Sequence, residues 1–378
     1  MPRLTFKRAV LFVLGLLMCG LVWVKFEYGL GRPYPDVAGS APQSTVTLEK
    51  LIQLDLPPGN VAVAPNGHVF FNYHRLAQPK RFSEATVFEW ADGKFKPFPS
   101  LDFQKNFQGT FGIAMDRQNR VWFTEPANFD FEHTRVWAFD ITTGQQAHFF
   151  EFPKGVAQFG QDLRVTADGN YVLFASPGVF RFTQSTLVVY STKDHSYRTA
   201  LSGGPCLQPE DWRLETVSHG PDRLLWGLLN FAVGLDGIEI SDDQKWVYLG
   251  PMVNQHLCKV PLETVLDPKL TTQQAGERVE VVGQKPLSDG ITVDRDGKVI
   301  LTDVEHGGLV SMDPTSGRLV SLIRSKEIEW ADGVWTGSDN ALYLTDSAIP
   351  HYLTQTSGPP DLATLVAHRP YYLYRMVR

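Results

Sequence analysis

Six segments of this chain repeat one pattern: a short strand-like run of alternating residues, a turn, and a second, more apolar run. The segments begin at Asn60, Gly112, Asp162, Gly237, Gly290 and Gly333. Their starts are 52, 50, 75, 53 and 43 residues apart, a spacing that fits a propeller blade and is too long for a hairpin. Because another strand pair follows each segment, every unit has four strands. The pattern therefore predicts an all-β fold, a six-bladed β-propeller over residues 46–378.

The two ends of this region are also strand-like, and we expect one to close the ring by joining the blade of the other. The longest interval contains an insertion within residues 195–235. We expect that insertion to form a loop over one mouth of the propeller rather than a domain.

The N-terminus is predicted to be a membrane-targeting helix. Arg3, Lys7 and Arg8 precede the uncharged run Ala9–Val24, and Lys25 follows it. We interpret residues 1–25 as a signal anchor or a signal peptide, and residues 26–45, rich in Gly, Pro and Ser, as a linker. Because the basic flank stays in the cytoplasm, the propeller is expected outside it, periplasmic or extracellular and anchored to the membrane.

The net charge of the chain limits the kinds of partner that it can bind. The formal net charge is −6, and it becomes −10 once the four basic residues of segment 1–25 are set aside. An acidic body without a basic run argues against nucleic acid and favours neutral or cationic small molecules. The expected partners are thus a small-molecule ligand and, through the N-terminal segment, the membrane.

Two cysteines, Cys206 and Cys258, fall within the predicted exported domain. In an oxidising compartment they could pair, or they could remain separate thiols. The sequence has no CxxC motif and no Cys/His spacing typical of a metal site.

Candidate binding residues follow from blade geometry. The first strand of each blade is expected to be innermost, so the residues just before these strands meet at one mouth; they are Gly59, Phe111, Gln161, Asp236, Asp289 and Asp332. The second strands return to that mouth and end at Glu125, Asp303 and Asp346, with Asn254, His306 and His351 in the loops that follow.

Three aspartates at one mouth must share protons, bind a cation or accept hydrogen bonds. Each aspartate could instead accept backbone N–H bonds in a purely structural role. We predict a binding mouth, with Asp289 as the candidate catalytic residue; the predicted binding residues are Asp236, Asp289, Asp332, Gln161, Asn60, Phe111, Asp303 and Asn254.

Three segments resemble the yellow/major royal jelly protein family. LSDGITVDRDGKVILTDVEHGGLVSMD and WADGVWTGSDNALYLTDS are similar to its last two blades, and GLDGIEISDDQKWVYLGPMVNQHLCKVPLETVLD to its middle segment. The resemblance spans roughly residues 50–350 and is most specific over residues 230–350. It implies a six-bladed propeller, usually exported, with small organic ligands in the central channel. Members are linked to dopachrome conversion, amine binding and storage, so the family does not fix one reaction.

A wider resemblance is to the regucalcin/gluconolactonase propellers, whose lactonase site holds a divalent metal. Carried over by blade, the Glu of that site falls on Asn60, one Asn on Gln161, another Asn on Asp236, and the Asp on Asp289. Only Asp289 matches in type, which argues against efficient lactonase activity. No cofactor is firmly implied; two carboxylates and two amide oxygens could still hold Ca²⁺ or another divalent cation.

Three hypotheses remain open from the sequence. The first is an exported, membrane-anchored propeller that binds an aromatic amine or similar molecule, with or without isomerase-type activity. The second is a metal-dependent lactonase in which Asp289 is a metal ligand or a base. The third is a scaffold that binds a protein partner and performs no chemistry in its channel.

Overall fold

Six four-stranded antiparallel sheets form the body of the chain. The computed structural model describes residues 6–39, 46–77, 81–126, 133–216, 219–221, 223–353 and 361–377. The inner strands of successive sheets contact one another in a closed ring. This arrangement confirms the predicted six-bladed propeller.

The N-terminal elements precede the first blade; they are helix α1 (Phe6–Tyr28) and strands β1 (Arg32–Pro33) and β2 (Thr47–Leu54). Blade 1 contains β3 (Pro58–Val63), β4 (Val69–Tyr73), η1 (Arg75–Ala77), β5 (Val87–Ala91) and β6 (Lys94–Pro97). Helix α2 (Leu101–Gln104) leads to blade 2, with β7 (Ile113–Met115), β8 (Arg120–Pro126), β9 (Thr134–Asp140) and β10 (Gln146–Glu151). Blade 3 contains β11 (Asp162–Val165), β12 (Tyr171–Ser176), β13 (Thr186–Ser191) and β14 (Tyr197–Ser202).

An insertion of short strands separates blades 3 and 4: β15 (Trp212–Arg213), β16 (Glu215–Thr216), β17 (Gly220–Pro221), β18 (Arg223–Leu224) and β19 (Leu229–Asn230). Blade 4 contains β20 (Leu235–Ile240), β21 (Trp246–Pro251), β22 (His256–Pro261), α3 (Leu262–Leu266), α4 (Thr272–Gly276) and β23 (Glu280–Gln284). Blade 5 contains β24 (Ile291–Val293), β25 (Val299–Asp303), β26 (Gly308–Met312) and β27 (Leu319–Arg324). Blade 6 contains β28 (Ala331–Thr336), β29 (Leu342–Asp346), η2 (Ile349–His351), α5 (Leu362–Ala367) and β30 (Tyr371–Val377).

The ring closes through its two ends. The outermost strand of blade 6 is β2, which pairs antiparallel with β30 from Thr47 opposite Val377 to Leu54 opposite Tyr371. The two ends of the propeller region, β2 and β30, therefore share one sheet, as the strand-like ends of this region indicated.

Neighbouring inner strands approach closely where glycine follows the mouth residue. A Cβ on Gly290 would lie 2.1 Å from the carbonyl oxygen of Asp332, and one on Gly237 would lie 2.9 Å from that of Asp289. Glycine is needed at such positions because any side chain would push adjacent blades apart. Buried apolar residues fill the space between blades; Phe70, Val121 and Phe123, for example, pack together between blades 1 and 2.

The segment that follows α1 lies against the propeller. Tyr34 donates a hydrogen bond to the carbonyl of Lys285 at 2.7 Å, and Asp36 pairs with Arg324 at 2.6 Å. Strand β1 pairs with β15 in the insertion. Residues 29–39 are thus bound to the propeller, unlike the simple tether expected for 26–45; residues 40–45 lie outside the described part of the chain.

The two cysteines left open by the sequence form a disulfide. Cys206 and Cys258 are bonded, with Cα atoms 6.0 Å apart. Cys206 belongs to the segment after blade 3 and Cys258 to β22, so the bond ties the start of the insertion to blade 4.

Candidate functional site at the acidic mouth

Most of the predicted binding residues meet at one mouth of the propeller. The start of each inner strand faces the central channel, and the channel is lined there by Asn60, Phe111, Gln161, Asp236, Asp289 and Asp332. Three acidic side chains therefore converge with two amides and an aromatic ring, as blade geometry predicted.

An apolar cavity of about 240 Å³ lies over this mouth and shares Phe111, Gln161, Asp236 and Asp289 with the channel. Its walls come from loops of blades 1, 3, 4 and 6 and from the insertion: Leu76, Phe159, Val179, Phe180, Leu224, Phe231, Val233, Met252, Ile349 and Leu353. The described residues that line it include no lysine or arginine. The cavity thus combines apolar walls with acidic groups at its base, a pattern typical of small-molecule sites.

Asp289 is fixed in place and poised to titrate. Its Oδ2 accepts a hydrogen bond from Nε1 of the buried Trp330 at 2.7 Å. Burial raises the pKa of Asp289 to about 7, although the Trp330 hydrogen bond lowers it and the charge of Asp162 raises it further. Near neutral pH this carboxyl can therefore either hold or release a proton.

The carboxyl groups of the other two aspartates have fewer hydrogen-bond partners. Burial and the nearby charge of Asp289 raise the pKa of Asp236 and of Asp332 well above the usual range. Oδ2 of Asp236 accepts no hydrogen bond from any described residue. Oδ2 of Asp332 lies 3.7 Å from Nε2 of His74, too far for a strong hydrogen bond. Buried acceptors of this kind favour a ligand that brings donors or positive charge.

His74 is a mouth residue that the sequence reasoning missed. It follows Tyr73, the last residue of β4, and so lies one position beyond the strand ends that singled out Asp303 and Asp346 in other blades. Its Nδ1 lies 2.9 Å from the hydroxyl of Tyr352, and burial lowers its pKa to about 3. The imidazole is therefore neutral at physiological pH and does not neutralise the aspartates.

Arg164 is the second residue missed. Its guanidinium pairs with Asp162 at 2.7 Å and with Glu239 at 2.9 Å, and it donates to the carbonyl of Ile291 at 3.0 Å. Arg164 lines both the channel and a cavity of about 510 Å³ at the opposite mouth, so it lies between the two. Because Asp162 and Glu239 already balance its charge, it leaves the aspartates at the mouth uncompensated.

Two residues predicted to bind do not line the mouth. Asp303 pairs with Nδ1 of His306 at 2.8 Å and with Arg324 at 3.0 Å, so its carboxylate holds the loop onto which the N-terminal segment packs. The amide of Asn254 donates to the carbonyls of Pro205 and Gln208 at 2.8 and 2.9 Å. The structure thus does not bring Asp303 and Asn254 together with the other predicted binding residues, because their polar atoms are engaged away from the channel.

The four residues of this chain that occupy the positions of the lactonase metal ligands do lie close together. Asn60, Gln161, Asp236 and Asp289 line the same channel, and their oxygens are the donors that Ca²⁺ prefers. Oδ1 of Asn60, however, already accepts a hydrogen bond from the Val61 amide at 2.9 Å. Asp332 adds a third carboxylate, so the mouth can attract a hard metal ion or an organic ammonium group.

Fold and mouth together define a six-bladed propeller with an acidic, apolar-walled cavity at one end of its channel. A family model for the major royal jelly proteins matches residues 108–319, more than half of the chain. The chain belongs to the major royal jelly protein family. No curated protein matches it in sequence.

Solved structures agree on the fold. A gluconolactonase from Xanthomonas campestris is 14% identical, with a TM-score of 0.54 and coverage of 92% of this chain and 97% of that chain. A putative oxidoreductase (glucose dehydrogenase) from Thermus thermophilus is 11% identical, with a TM-score of 0.52 and coverage of 88% and 100%. A luciferin-regenerating enzyme is 10% identical, with a TM-score of 0.52 and coverage of 88% and 95%. At these identities the similarity establishes the fold alone.

Proposed function

We propose that this protein is an exported, membrane-anchored propeller that binds a small organic molecule with an aromatic or other apolar body and a protonated amine. The observation that carries the proposal is the uncompensated group of Asp236, Asp289 and Asp332: the first two lie at the base of the apolar cavity, and Asp332 lines the adjoining channel. An ammonium group would supply the missing positive charge and donate to Oδ2 of Asp236. The apolar body would contact side chains such as Phe111 and Phe231.

The charge balance favours a cation over an anion. An anion beside three buried carboxyls would raise their pKa values further and repel any that are ionised, whereas a cation favours the ionised forms and pairs with them. Thermal unfolding in the presence of three ligands with similar bodies tests this: 2-phenylethylamine, 2-phenylethanol and 3-phenylpropanoate. The amine should raise the melting temperature most and the carboxylate least, because a ligand that binds the native state stabilises it. Equal shifts for all three would contradict the proposal.

Isomerase-type activity is an extension of this function. Asp289, with a pKa of about 7, is the candidate base, since a group that titrates near the working pH can both accept and return a proton. An isomerase would convert a bound ligand without consuming water or metal, and Asp289→Asn would abolish turnover while the cavity remained.

Metal-dependent lactone hydrolysis is the alternative function, favoured by the oxygen donors of Asn60, Gln161, Asp236 and Asp289. We expect little turnover, because Asn60 replaces a carboxylate and metal-assisted hydrolysis tolerates misplacement of about 1 Å poorly. Titration of gluconolactone hydrolysis with Ca²⁺, Zn²⁺ and Mn²⁺ tests this expectation. Turnover at about 1–1000 per second that a chelator abolishes would favour the lactonase instead.

Export and anchoring have separate support. Helix α1 is long and apolar enough to cross a membrane, and none of its residues is buried. The Cys206–Cys258 disulfide fits an oxidising compartment outside the cytoplasm. The basic residues before α1 favour a cytoplasmic N-terminus.

The end of α1 is held beside the mouth. Lys25 donates to the carbonyl of Gly227, and Arg181 donates to the carbonyl of Glu27 at 2.7 Å. Phe182 is 48% exposed and Trp226 is 76% exposed, and both lie in loops that also line the cavity. If α1 spans the bilayer, these exposed aromatic side chains lie near its surface, where tryptophan is favoured. The proposed ligand would then enter from the membrane side.

A further inference from the structure

A second group of titratable side chains lies at the edge of blade 6, apart from the acidic mouth. It joins His219 of the insertion, Glu329 just before β28, and His351 of η2, and one possible ligand atom from each lies within 4.8 Å of the others. Nε2 of His351 contacts the carboxylate of Glu329 directly. None of the three is among the residues that line the mouth cavity. The group therefore requires an explanation of its own.

A fourth candidate donor stands beside these three. The ring of His368 lies 3.8 Å from that of His351, centroid to centroid. Its Nδ1 is within 2.8 Å of the carbonyl of Thr364, which fixes the ring and leaves Nε2 as the donor atom. Glu329, His351 and His368 line a cavity of about 240 Å³, so the donors surround a space.

An ordinary ion pair does not account for this crowding. A single carboxylate pairs with one imidazolium, whereas here the rings of His219 and His368 lie 4.5 and 3.8 Å from that of His351. Neutral imidazoles with one carboxylate are the donors found in zinc sites.

We propose that His219, Glu329 and His351, with His368 as a fourth donor, bind one divalent transition-metal ion of the zinc class. The ion would link the insertion to blade 6 and to the segment after α5. Ile349, in the same η2 turn as His351, lines the mouth cavity. Metal binding would thus also fix one wall of the proposed ligand site, although the metal site stands independently of that function.

The test uses the full chain in detergent, stripped with a chelator and dialysed. Titration with Zn²⁺ should show one equivalent bound, and Co²⁺ should give the visible absorption of a tetrahedral nitrogen and oxygen site. Glu329→Gln, His351→Ala and His219→Ala should each weaken Zn²⁺ binding by at least about 10-fold. His219 is exposed, so its variant should fold even if His351→Ala does not.

His68→Ala is the matched control. His68 pairs with Glu89 at 2.7 Å in blade 1, but this pair belongs to no three-residue group of possible ligands among the described residues. Its loss should leave Zn²⁺ binding unchanged. Asp289→Asn separates this site from the mouth and should also leave Zn²⁺ binding unchanged. No Zn²⁺ uptake by the wild-type chain, or uptake that Asp289→Asn removes and Glu329→Gln does not, would overturn the proposal.

Discussion

At the scale of single residues, the Asp-Gly pair that begins three inner strands occupies a different environment in each blade. Asp236, Asp289 and Asp332 all precede glycine at the start of an inner strand. Asp289 is bound by the indole of Trp330, whereas Oδ2 of Asp236 accepts no hydrogen bond from any described residue. In the proposed function, the fixed group would orient the ligand and the unsatisfied group would gain most from its binding, because a buried acceptor without a donor is costly.

Asp289→Asn should weaken binding of 2-phenylethylamine by about 1–3 kcal/mol, since a charged hydrogen bond would be lost. Asparagine keeps the side-chain shape, so the fold should remain intact. Calorimetric titration measures the affinity, and thermal unfolding checks the fold.

The control for this variant is Asp242→Asn at the opposite mouth, where Asp242 lines the other cavity. It should leave amine binding unchanged. If Asp289→Asn instead lowers the melting temperature sharply and leaves binding untouched, Asp289 has only a structural role.

Amine binding should depend on pH in a defined direction. The pKa of Asp289 is about 7 in the folded chain and 3.8 ordinarily, so the folded state binds more protons between about pH 4 and 7. This carboxyl therefore contributes stability at low pH that is lost as pH rises through that interval. A cationic ligand favours the ionised form, so affinity should rise with pH up to about 7, and binding below pH 7 should release protons. Titrations in buffers of different ionisation enthalpy measure that release, and proton uptake in its place would contradict the prediction.

Sequence reasoning located the aspartates but could not supply their partners. Blade geometry placed Asp236, Asp289 and Asp332 at one mouth because their offset from the turn is the same in each repeat. It missed Arg164, whose role depends on Glu239 of a different blade. Contacts between blades depend on how the sheets are arranged around the axis, which a single repeat does not encode.

At the scale of elements, the close approach of inner strands is the strictest requirement. Gly290→Ala should destabilise the fold by about 1–3 kcal/mol, because the new Cβ would lie 2.1 Å from the carbonyl oxygen of Asp332. Gly276→Ala in α4 is the control, since a Cβ there meets nothing within 4 Å. It should be neutral or slightly stabilising in a helix. Chemical denaturation compares the two, and equal stability would show that the blades can separate at little cost.

The disulfide is a second element-level constraint. Replacing Cys206 and Cys258 by serine should lower stability by about 2–4 kcal/mol, because the bond closes a loop across 52 residues. Since Pro205 and Gln208 bind Asn254 beside it, the loss should loosen that loop as well. Thermal unfolding with and without reductant measures the effect, and the double variant should no longer respond to reductant.

The elements were predictable to different degrees. The inner strands begin close to the positions that the repeats indicated, since each repeat carries its own turn and alternation. Strands β15–β19 were not predicted individually, because they are two residues long and lie outside the repeat. Short strands of this kind are set by their partners, such as β1 for β15, rather than by local alternation.

At the scale of the whole molecule, the N-terminal region takes part in ring closure and also carries the predicted membrane anchor. The propeller needs β2 to complete blade 6, and residues 29–39 reach across the insertion and blades 4 and 5 before it. The segment that follows α1 is therefore part of the packed structure. Charge along the sequence indicated export, but only the structure shows that the exit of α1 is bound to the loops of the mouth.

We expect the mature protein to keep α1 and to remain with the membrane after carbonate extraction. Removal of residues before about position 41 would delete Tyr34 and Asp36, and with them the hydrogen bond to Lys285 and the ion pair with Arg324. Arg324→Ala offers a check on that packing: it should increase protease cleavage between α1 and β2 without changing membrane association. Mass spectrometry of the N-terminus decides between the two forms. A mature chain that starts near residue 41 and is released in soluble form would show that α1 acts as a signal peptide and that the contacts of residues 29–39 are dispensable.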